Sequence, residues 1–469
     1  MNLKEKLKDP IFELVSKIAD ELCYPTYIVG GWVRDYFLKR DLTDMDFVCV
    51  GDSSLLAKKI SDLLPGSKFK IFKRFGTAHI SHQGKIFEFV SARKESYQIN
   101  SRNPDVQAGT LLDDQNRRDF TINSMAIQLN KTDFGKLEDP FNALEDIKKK
   151  ILKTPLNPDK TYQDDPLRMM RAIRFASQLN FKIEKESLDS IKKNSHRIQI
   201  ISQERITEEV NKILLTPKPS IGLELLFNCN LLHEFFQEMV HLHGIETINN
   251  HSHKDNFYHT LEVLDNISIN TNNLWLRWAA LLHDIGKPKT KKYYAGIGWT
   301  FHAHDFIGAK MIPSIFKKLR LPLNEKMEFV KKMVLLHLRP IVLAQDIVTD
   351  SAIRRLLFDA GNDIDDLMTL CDADITSKNP KKVKRYLNNF QLVRRKLKEV
   401  EEKDKIRNWK PPIDGLEIME IFNIPAGKEI GVLKNSIKEA ILDGIIANNK
   451  QDALVFLLKE AKKLNLEPK

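Results

Sequence analysis

Between Ile28 and Val50 the chain sets a glycine pair, Gly30 and Gly31, after a short apolar run. Arg34 follows on a short helical pattern, and then Asp44-Met45-Asp46 runs directly into Phe47-Val48-Cys49-Val50. This stretch constrains the fold more than any other. Side chains alternate along a strand, so Asp44 and Asp46 belong to one face. Two carboxylates held side by side repel unless a cation lies between them, which is how a divalent metal is held beside a nucleoside triphosphate. Glycines at positions 30 and 31 let the backbone approach a phosphate, and Arg34 can neutralise it. Taken singly, a Gly-Gly pair is commonly a tight bend and an Asp-x-Asp a turn. Their order and spacing give the combination its weight.

The chain has 469 residues, room for two to four domains. With 42% hydrophobic and 29% charged residues it falls in the globular class. No apolar run approaches the ~20 residues of a membrane span, and the N-terminus lacks an apolar signal core, so a cytoplasmic protein with no membrane partner is expected. Cys23, Cys49, Cys229 and Cys371 are scattered in apolar contexts and read as reduced core thiols. The net charge of +11 suits a nucleic-acid partner once a nucleotide site is in view.

Amphipathic helix over 9–23, a strand at 27–30, a helix at 55–64 and strand-like runs at 69–72, 78–81 and 86–90 predict an α+β head over residues 1–150. Glu88 alternates with apolar neighbours and offers either an outward strand residue or a third carboxylate able to activate a hydroxyl. Residues 98–112, rich in Asn, Gly and Pro, read as a loop. Arg117-Arg118-Asp119 follows. Paired arginines hold triphosphate oxygens by forked hydrogen bonds, and an aspartate accepts from a ribose hydroxyl. Further on, Asp164-Asp165-Pro166 precedes a helical pattern with Arg168, Arg171 and Arg174 at every third residue, a basic ridge. Asp165 suits a helix cap before Pro166. It also suits base reading. Cytosine and adenine both present an amine donor beside a ring-nitrogen acceptor, so an Asp acceptor with an Arg donor selects the two together.

With these motifs in this order, the chain resembles the nucleotidyltransferase superfamily that includes DNA polymerase β. More closely, it resembles the bacterial class II tRNA CCA-adding enzymes and their poly(A) polymerase relatives. Further motifs carry the resemblance: Arg74-Phe75-Gly76-Thr77, Arg93-x-Glu95-x-Tyr97, and Leu137 to Asp146, where the family's usual glycines near 142 and 143 are Asn142 and Ala143. Ser124 stands where alanine is more usual, and Asp164 where the family has Glu. The resemblance implies that Asp44 and Asp46 hold Mg²⁺, with Glu88 as third carboxylate. It implies that Gly30, Gly31, Arg34, Arg117, Arg118, Asp119, Arg171 and Arg174 hold the nucleotide, and that Asp165 with Arg168 reads the base.

A second chemistry begins near residue 240, where histidines crowd. His259, His283-Asp284, His304, His337 and Asp372 form an ordered set that resembles the HD phosphohydrolase family. That resemblance implies a divalent metal of unidentified kind on His259, His283, Asp284 and Asp372, with His304 and His337 at the extra positions of two-metal members. The expected architecture is a mixed-sheet nucleotidyltransferase head (1–150), an all-helical neck (151–235), an all-helical HD domain (236–377) and a helical RNA-binding tail (378–469). The tail opens with a basic amphipathic helix at 378–405, either solvated or facing RNA. The implied function is addition of CMP and AMP, from CTP and ATP, to a tRNA 3′ end. A poly(A) polymerase, a CC-only or A-only adding enzyme, and an HD phosphohydrolase with an RNA-binding head are the alternatives.

Overall fold

A computed structural model describes residues 1–42, 44–72, 76–96, 105–248, 251–343, 349–376, 379–404, 406–407 and 409–469. Arg74, Phe75, Tyr97 and the first half of the expected loop at 98–112 lie outside the described residues. The chain divides into two compact units, Met1–Val240 and His241–Lys469. No helix among the described residues is long and apolar enough to cross a membrane.

The first unit opens with helix α1 (Pro10–Glu21), whose start is fixed by the Asp9 carboxylate accepting from the Ile11 amide and by Pro10 in the first turn. Strands β1 (Thr26–Val29), β2 (Met45–Cys49), β3 (Lys68–Phe72), β4 (Thr77–His82) and β5 (Lys85–Ser91) follow, with β6 (Arg93–Ser96) and β7 (Asp105–Ala108) as a separate hairpin and β8 (Ala126–Gln128) and β9 (Leu137–Glu138) later. The seven-stranded sheet runs β3-β4-β5-β2-β1-β8-β9. Within it β2 pairs parallel with β5, and its other pairings are antiparallel. Helices α2 (Gly31–Phe37) and α3 (Ser53–Asp62) connect strands, α3 being capped by Asp52.

Alternation along the strands divides the sheet into two faces. Met45, Phe47 and Cys49 of β2, Phe87 and Phe89 of β5, and Ala78 and Ile80 of β4 join the large core with Phe12, Val15, Trp32 and Leu56 from the helices. Phe47 stacks on Phe89 with ring centroids 4.7 Å apart. The residues between them, Asp46, Glu88 and His79, are thereby sent to the opposite face. Gly30, at φ +74°, makes the turn into α2 in a conformation suited to glycine. A Cβ there would meet the Asp46 Oδ2 at 3.2 Å and the Arg118 guanidinium at 3.3 Å.

Helices α4 (Leu111–Asn116) and α5 (Ala143–Lys149) complete the head, and α6 (Pro158–Asp164), α7 (Leu167–Leu179), α8 (Lys185–Asn194), α9 (Gln203–Leu214) and α10 (Pro219–Asn228) continue the unit. Asn142 takes up the left-handed conformation at φ +63°, which asparagine tolerates better than most residues, so the expected glycine is not needed there. The neck is not purely helical, because Lys182–Ile183 pairs parallel with Ile151–Leu152.

The second unit is built on α11 (Asn256–Asn270), α12 (Leu274–Leu282), α13 (His304–Lys318), α14 (Glu325–Leu336), α15 (Asp350–Ala360), α16 (Ile364–Ala373) and α17 (Pro380–Asp404). It departs from the all-helical expectation by a hairpin, Lys292–Tyr294 with Gly298–Thr300, and a two-residue pairing of Thr247–Ile248 with His251–Ser252. Three helices, Gly415–Phe422, Lys428–Leu442 and Lys450–Lys463, close the chain. Of the four cysteines, Cys49, Cys229 and Cys371 are buried as expected, but Cys23 is exposed.

Candidate active site

The open face of the head sheet and the start of α7 enclose a cleft of about 600 Å³. Asp46 and Glu88 lie directly opposite one another on the parallel pair β2–β5. Burial, and the Glu88 charge after it, push the Asp46 carboxyl up to about 6, against the opposing pull of Arg118. A partly buried carboxylate facing a second one is what a cation would relieve, so these residues fit a divalent ion. Asp44 is exposed, one residue before β2, and its charge adds to the rise at Asp46. His79, on the neighbouring strand, places its Nε2 3.4 Å from Glu88 Oε2.

Across the cleft stand Arg117, Arg118 and Arg171. A fully buried carboxylate, Asp114, aims the first two: it accepts from Arg117 Nε at 2.9 Å and from Arg118 Nε at 3.0 Å. Asp119 accepts from Arg171 Nε and Nη2 at 2.8 and 2.7 Å and from Asn123 Nδ2 at 3.0 Å. Burial alone would raise the Asp119 carboxyl; the Arg171 charge and the Asn123 hydrogen bond outweigh it and hold it at about 2. Asp165 and Arg168 line the same cleft. One Asp165 oxygen accepts from the Leu167 amide at 3.2 Å, so the capping role is present. Arg168 donates to the Arg117 carbonyl at 2.7 Å, which ties the proposed base reader to the arginine pair.

In the second unit the Asp284 carboxylate is surrounded by imidazoles. Its Oδ2 is 3.4 Å from His259 Nε2 and 3.2 Å from His283 Nε2; its Oδ1 is 3.2 Å from His304 Nε2 and 4.0 Å from His337 Nε2. Each ring is oriented through its other nitrogen. Nδ1 of His283, His304 and His337 lies 2.7–2.8 Å from the carbonyls of Ala280, Phe301 and Val334, and that of His259 lies 3.0 Å from Thr376 Oγ1. Such bonds present Nε2 lone pairs to a metal. The buried Nε2 of His283 finds, among the described residues, the Asp284 carboxylate at 3.2 Å but no well-aligned hydrogen bond. Among the described residues two groupings have ligand atoms mutually within 4.8 Å: His259, His283 and Asp284, and Asp284, His304 and His337. Burial pushes His337 down to about 4, keeping it neutral. Burial acts the same way on His283, but the Asp284 and Asp374 charges prevail and raise it to about 9.

Comparison with known proteins agrees with both halves. Residues 26–153 match the poly A polymerase head domain, 180–242 the probable RNA and SrmB-binding site of polymerase A, and 256–379 the HD domain. The multifunctional CCA protein of Pseudomonas paraeruginosa is 32% identical over 312 residues, covering 63% of this chain and 70% of that one. The chain belongs to the CCA-adding nucleotidyltransferase family. Another relative, the A-adding tRNA nucleotidyltransferase of Aquifex aeolicus, is 38% identical over 200 residues, 43% of this chain and 24% of its own length. The fold matches the Bacillus stearothermophilus CCA-adding enzyme solved with CTP at a TM-score of 0.67 and 22% identity, over 97% of this chain and 99% of that one.

Not every motif residue of this nucleotidyltransferase reaches its cleft. Arg34 is buried behind it, bonded to Asp35 at 2.9 Å and to Asn123 Oδ1 at 2.8 Å. Its hold on Asn123, which in turn holds Asp119, supports the cleft without lining it. Arg174 points into the neck, where its Nε meets Glu209 Oε2 at 2.6 Å and its Nη1 meets Gln178 at 2.8 Å. Asp372 is also displaced from its expected place. Arg394 of α17 holds both its oxygens, at 3.1 and 2.6 Å, and Asp374 instead stands 3.0 Å from His259 and 3.7 Å from His283. Asp372 lies within α16 and Asp374 just past its end, so the two aspartates face different ways. His79, Asp114, Glu209 and Asp374 escaped the sequence reading.

Proposed function

We propose that this chain transfers CMP and AMP, without a template, from CTP and ATP to the 3′ end of tRNA, completing its CCA terminus in the cytoplasm. What supports the reading most is a single cleft lined by Asp46 and Glu88, by Arg93, Arg117, Arg118 and Arg171, and by the Asp165–Arg168 pair. Asp44 and Asp46 would hold Mg²⁺, which when bound neutralises triphosphate charge. Arg117, Arg118 and Arg171 would hold the triphosphate, and Asp119 would set Arg171 at its angle. Glu88 would take the proton of the attacking RNA 3′-hydroxyl as pyrophosphate leaves the α-phosphorus. Asp165 and Arg168 would accept C and A and leave U and G with donor against donor. In this reading the head occupies 1–150, the neck 151–235, the HD domain 236–377 and the tail 378–469. The HD histidines with Asp284 and Asp374 would hold a divalent metal for phosphate-ester hydrolysis.

Incubating tRNA that lacks CCA with CTP, with ATP, and with both tests this. Two nucleotides with CTP and three with both are expected, all lost in Asp46→Ala. A long ladder from ATP alone would make the chain a poly(A) polymerase. Addition of AMP alone is a second reading, favoured by the 38% identity to the Aquifex A-adding enzyme. It predicts extension solely of tRNA already ending in CC. Activity surviving Asp46→Ala but lost in Asp284→Ala would leave the HD phosphohydrolase as the chain's chemistry.

A further inference from the structure

A cleft of about 880 Å³ in the second unit opens beside His259 and Asp374 of the HD site. Its volume lies in the range of about 300–1,000 Å³ that encloses a small organic ligand, more than a bare phosphate requires. At its inner end are His259, Asp374 and the cation Lys287, whose Nζ is 2.5 Å from Asp284. Farther out, its lining changes character. Tyr258, beside His259 on α11, is 43% exposed, and Tyr386 and Phe390 enter from α17. Helix α17 belongs to the tail by sequence, yet it is fastened here. Phe390, Val393, Leu397 and Val400 form its buried stripe, and Arg394 locks it to Asp372 through two hydrogen bonds. Tyr386 lies one turn before Phe390 on the same face, so the anchored stripe carries it to the cleft wall.

We propose that Tyr386 is a specificity-determining residue of the HD site, a flat wall against which the planar ring of a phosphate-ester substrate stacks while its phosphate lies at the histidine end. This rests on the phosphohydrolase reading of that site. The ligand class follows from the two ends of the cleft. Lys287 and the histidine cluster take a phosphate, and the tyrosines take a ring, so the site favours nucleotides over esters of open-chain alcohols. The ion pair between Asp372 and Arg394 serves as a positioning contact that keeps α17 at the site.

The full-length protein, loaded with Mn²⁺, is given adenosine 2′-monophosphate or glycerol 2-phosphate, two monoesters of secondary alcohols. In each, water adds to phosphorus, the ester P–O bond breaks, and the departing alkoxide oxygen takes up a proton. Base–aromatic stacking is strong enough that Tyr386→Ala should raise KM for the adenosine ester about tenfold. Its kcat and the KM for glycerol 2-phosphate should stay within about twofold. Tyr386→Leu, which keeps apolar bulk on α17, should behave as the Ala variant does, and Tyr386→Phe should behave as wild type. Equal losses on both substrates, or none on either, would overturn the proposal. Hydrolysis of neither ester by wild type would remove the phosphohydrolase reading. Equilibrium dialysis of adenosine 2′-monophosphate against wild type and Tyr386→Leu then decides the role of Tyr386, since nucleotide binding by the head is common to both. About tenfold weaker binding by the Leu variant supports it, and equal binding refutes it.

Discussion

Replacing Arg174 with alanine separates a structural arginine from a catalytic one. The motif to which Arg174 belongs implies a triphosphate ligand, whereas its side chain is only 11% exposed and its partner Glu209 only 4%. Removing one member of a buried pair strands the other charge, typically at about 3–5 kcal/mol. Lys212 Nζ remains 3.1 Å from the second Glu209 oxygen, though it is half exposed, so the lower end of about 3 kcal/mol applies. A unit of this size shifts by roughly 2–4 °C per kcal/mol, which gives a fall of about 6–12 °C in Tm. Thermal melts followed by circular dichroism would record it, alongside KM for CTP and ATP measured well below the transition. KM should change less than about threefold. Arg174→Met combined with Glu209→Leu should regain most of the loss, because an apolar pair of similar volume is often as stable as the buried ions. An unchanged Tm with a tenfold rise in KM would refute the reasoning and return Arg174 to the triphosphate.

Three other outcomes follow from the same geometry. With EDTA present, ionised Asp46 opposes folding, since its carboxyl stands near 6 in the fold against 3.8 ordinarily; this penalty, at most about 3 kcal/mol, is absent below about pH 4 and complete above about pH 7. Asp46→Asn should therefore melt above wild type at pH 8 and level with it at pH 4, and Mg²⁺ should raise Tm for wild type alone. Asp165→Ala should let UTP and GTP compete, shrinking discrimination in incorporation assays by roughly 5- to 150-fold, the worth of about 1–3 kcal/mol; unchanged fidelity would leave Asp165 with only its cap. Asp374→Ala should lose HD-bound metal by elemental analysis, whereas Asp372→Ala should retain it, and the reverse result would restore Asp372 as the ligand.

The strands up to β5 and the shared face of Asp46 and Glu88 were legible because strand alternation is read from sequence directly, whereas Asp44, read on the same strand face, stands just before β2. Phe47 and Phe89 announce the core face, and Asp46 and Glu88 follow by parity. The arginines were less legible. A guanidinium serves equally a phosphate or a buried carboxylate, and what decides is a partner distant in sequence: Glu209 for Arg174, Asn123 for Arg34. The two aspartates at the end of α16 differ by two residues, and the point where the helix stops determines which one turns toward His259. The hairpin at 292–300 was hidden because Lys292-Tyr293-Tyr294 is too short a run to signal a strand.

The parallel pairing of β2 with β5 leaves this protein an uneven tolerance to length change. The connection from Val50 to Gly84 already carries a helix and two strands, and segments at its bends can grow or shrink while leaving Asp46 across from Glu88. One residue gained within Met45–Cys49 would instead exchange the faces, delivering Phe47 to the cleft and Asp46 to the core. Homologous chains should accordingly differ in length around the sheet's rim and hold constant count through these five positions.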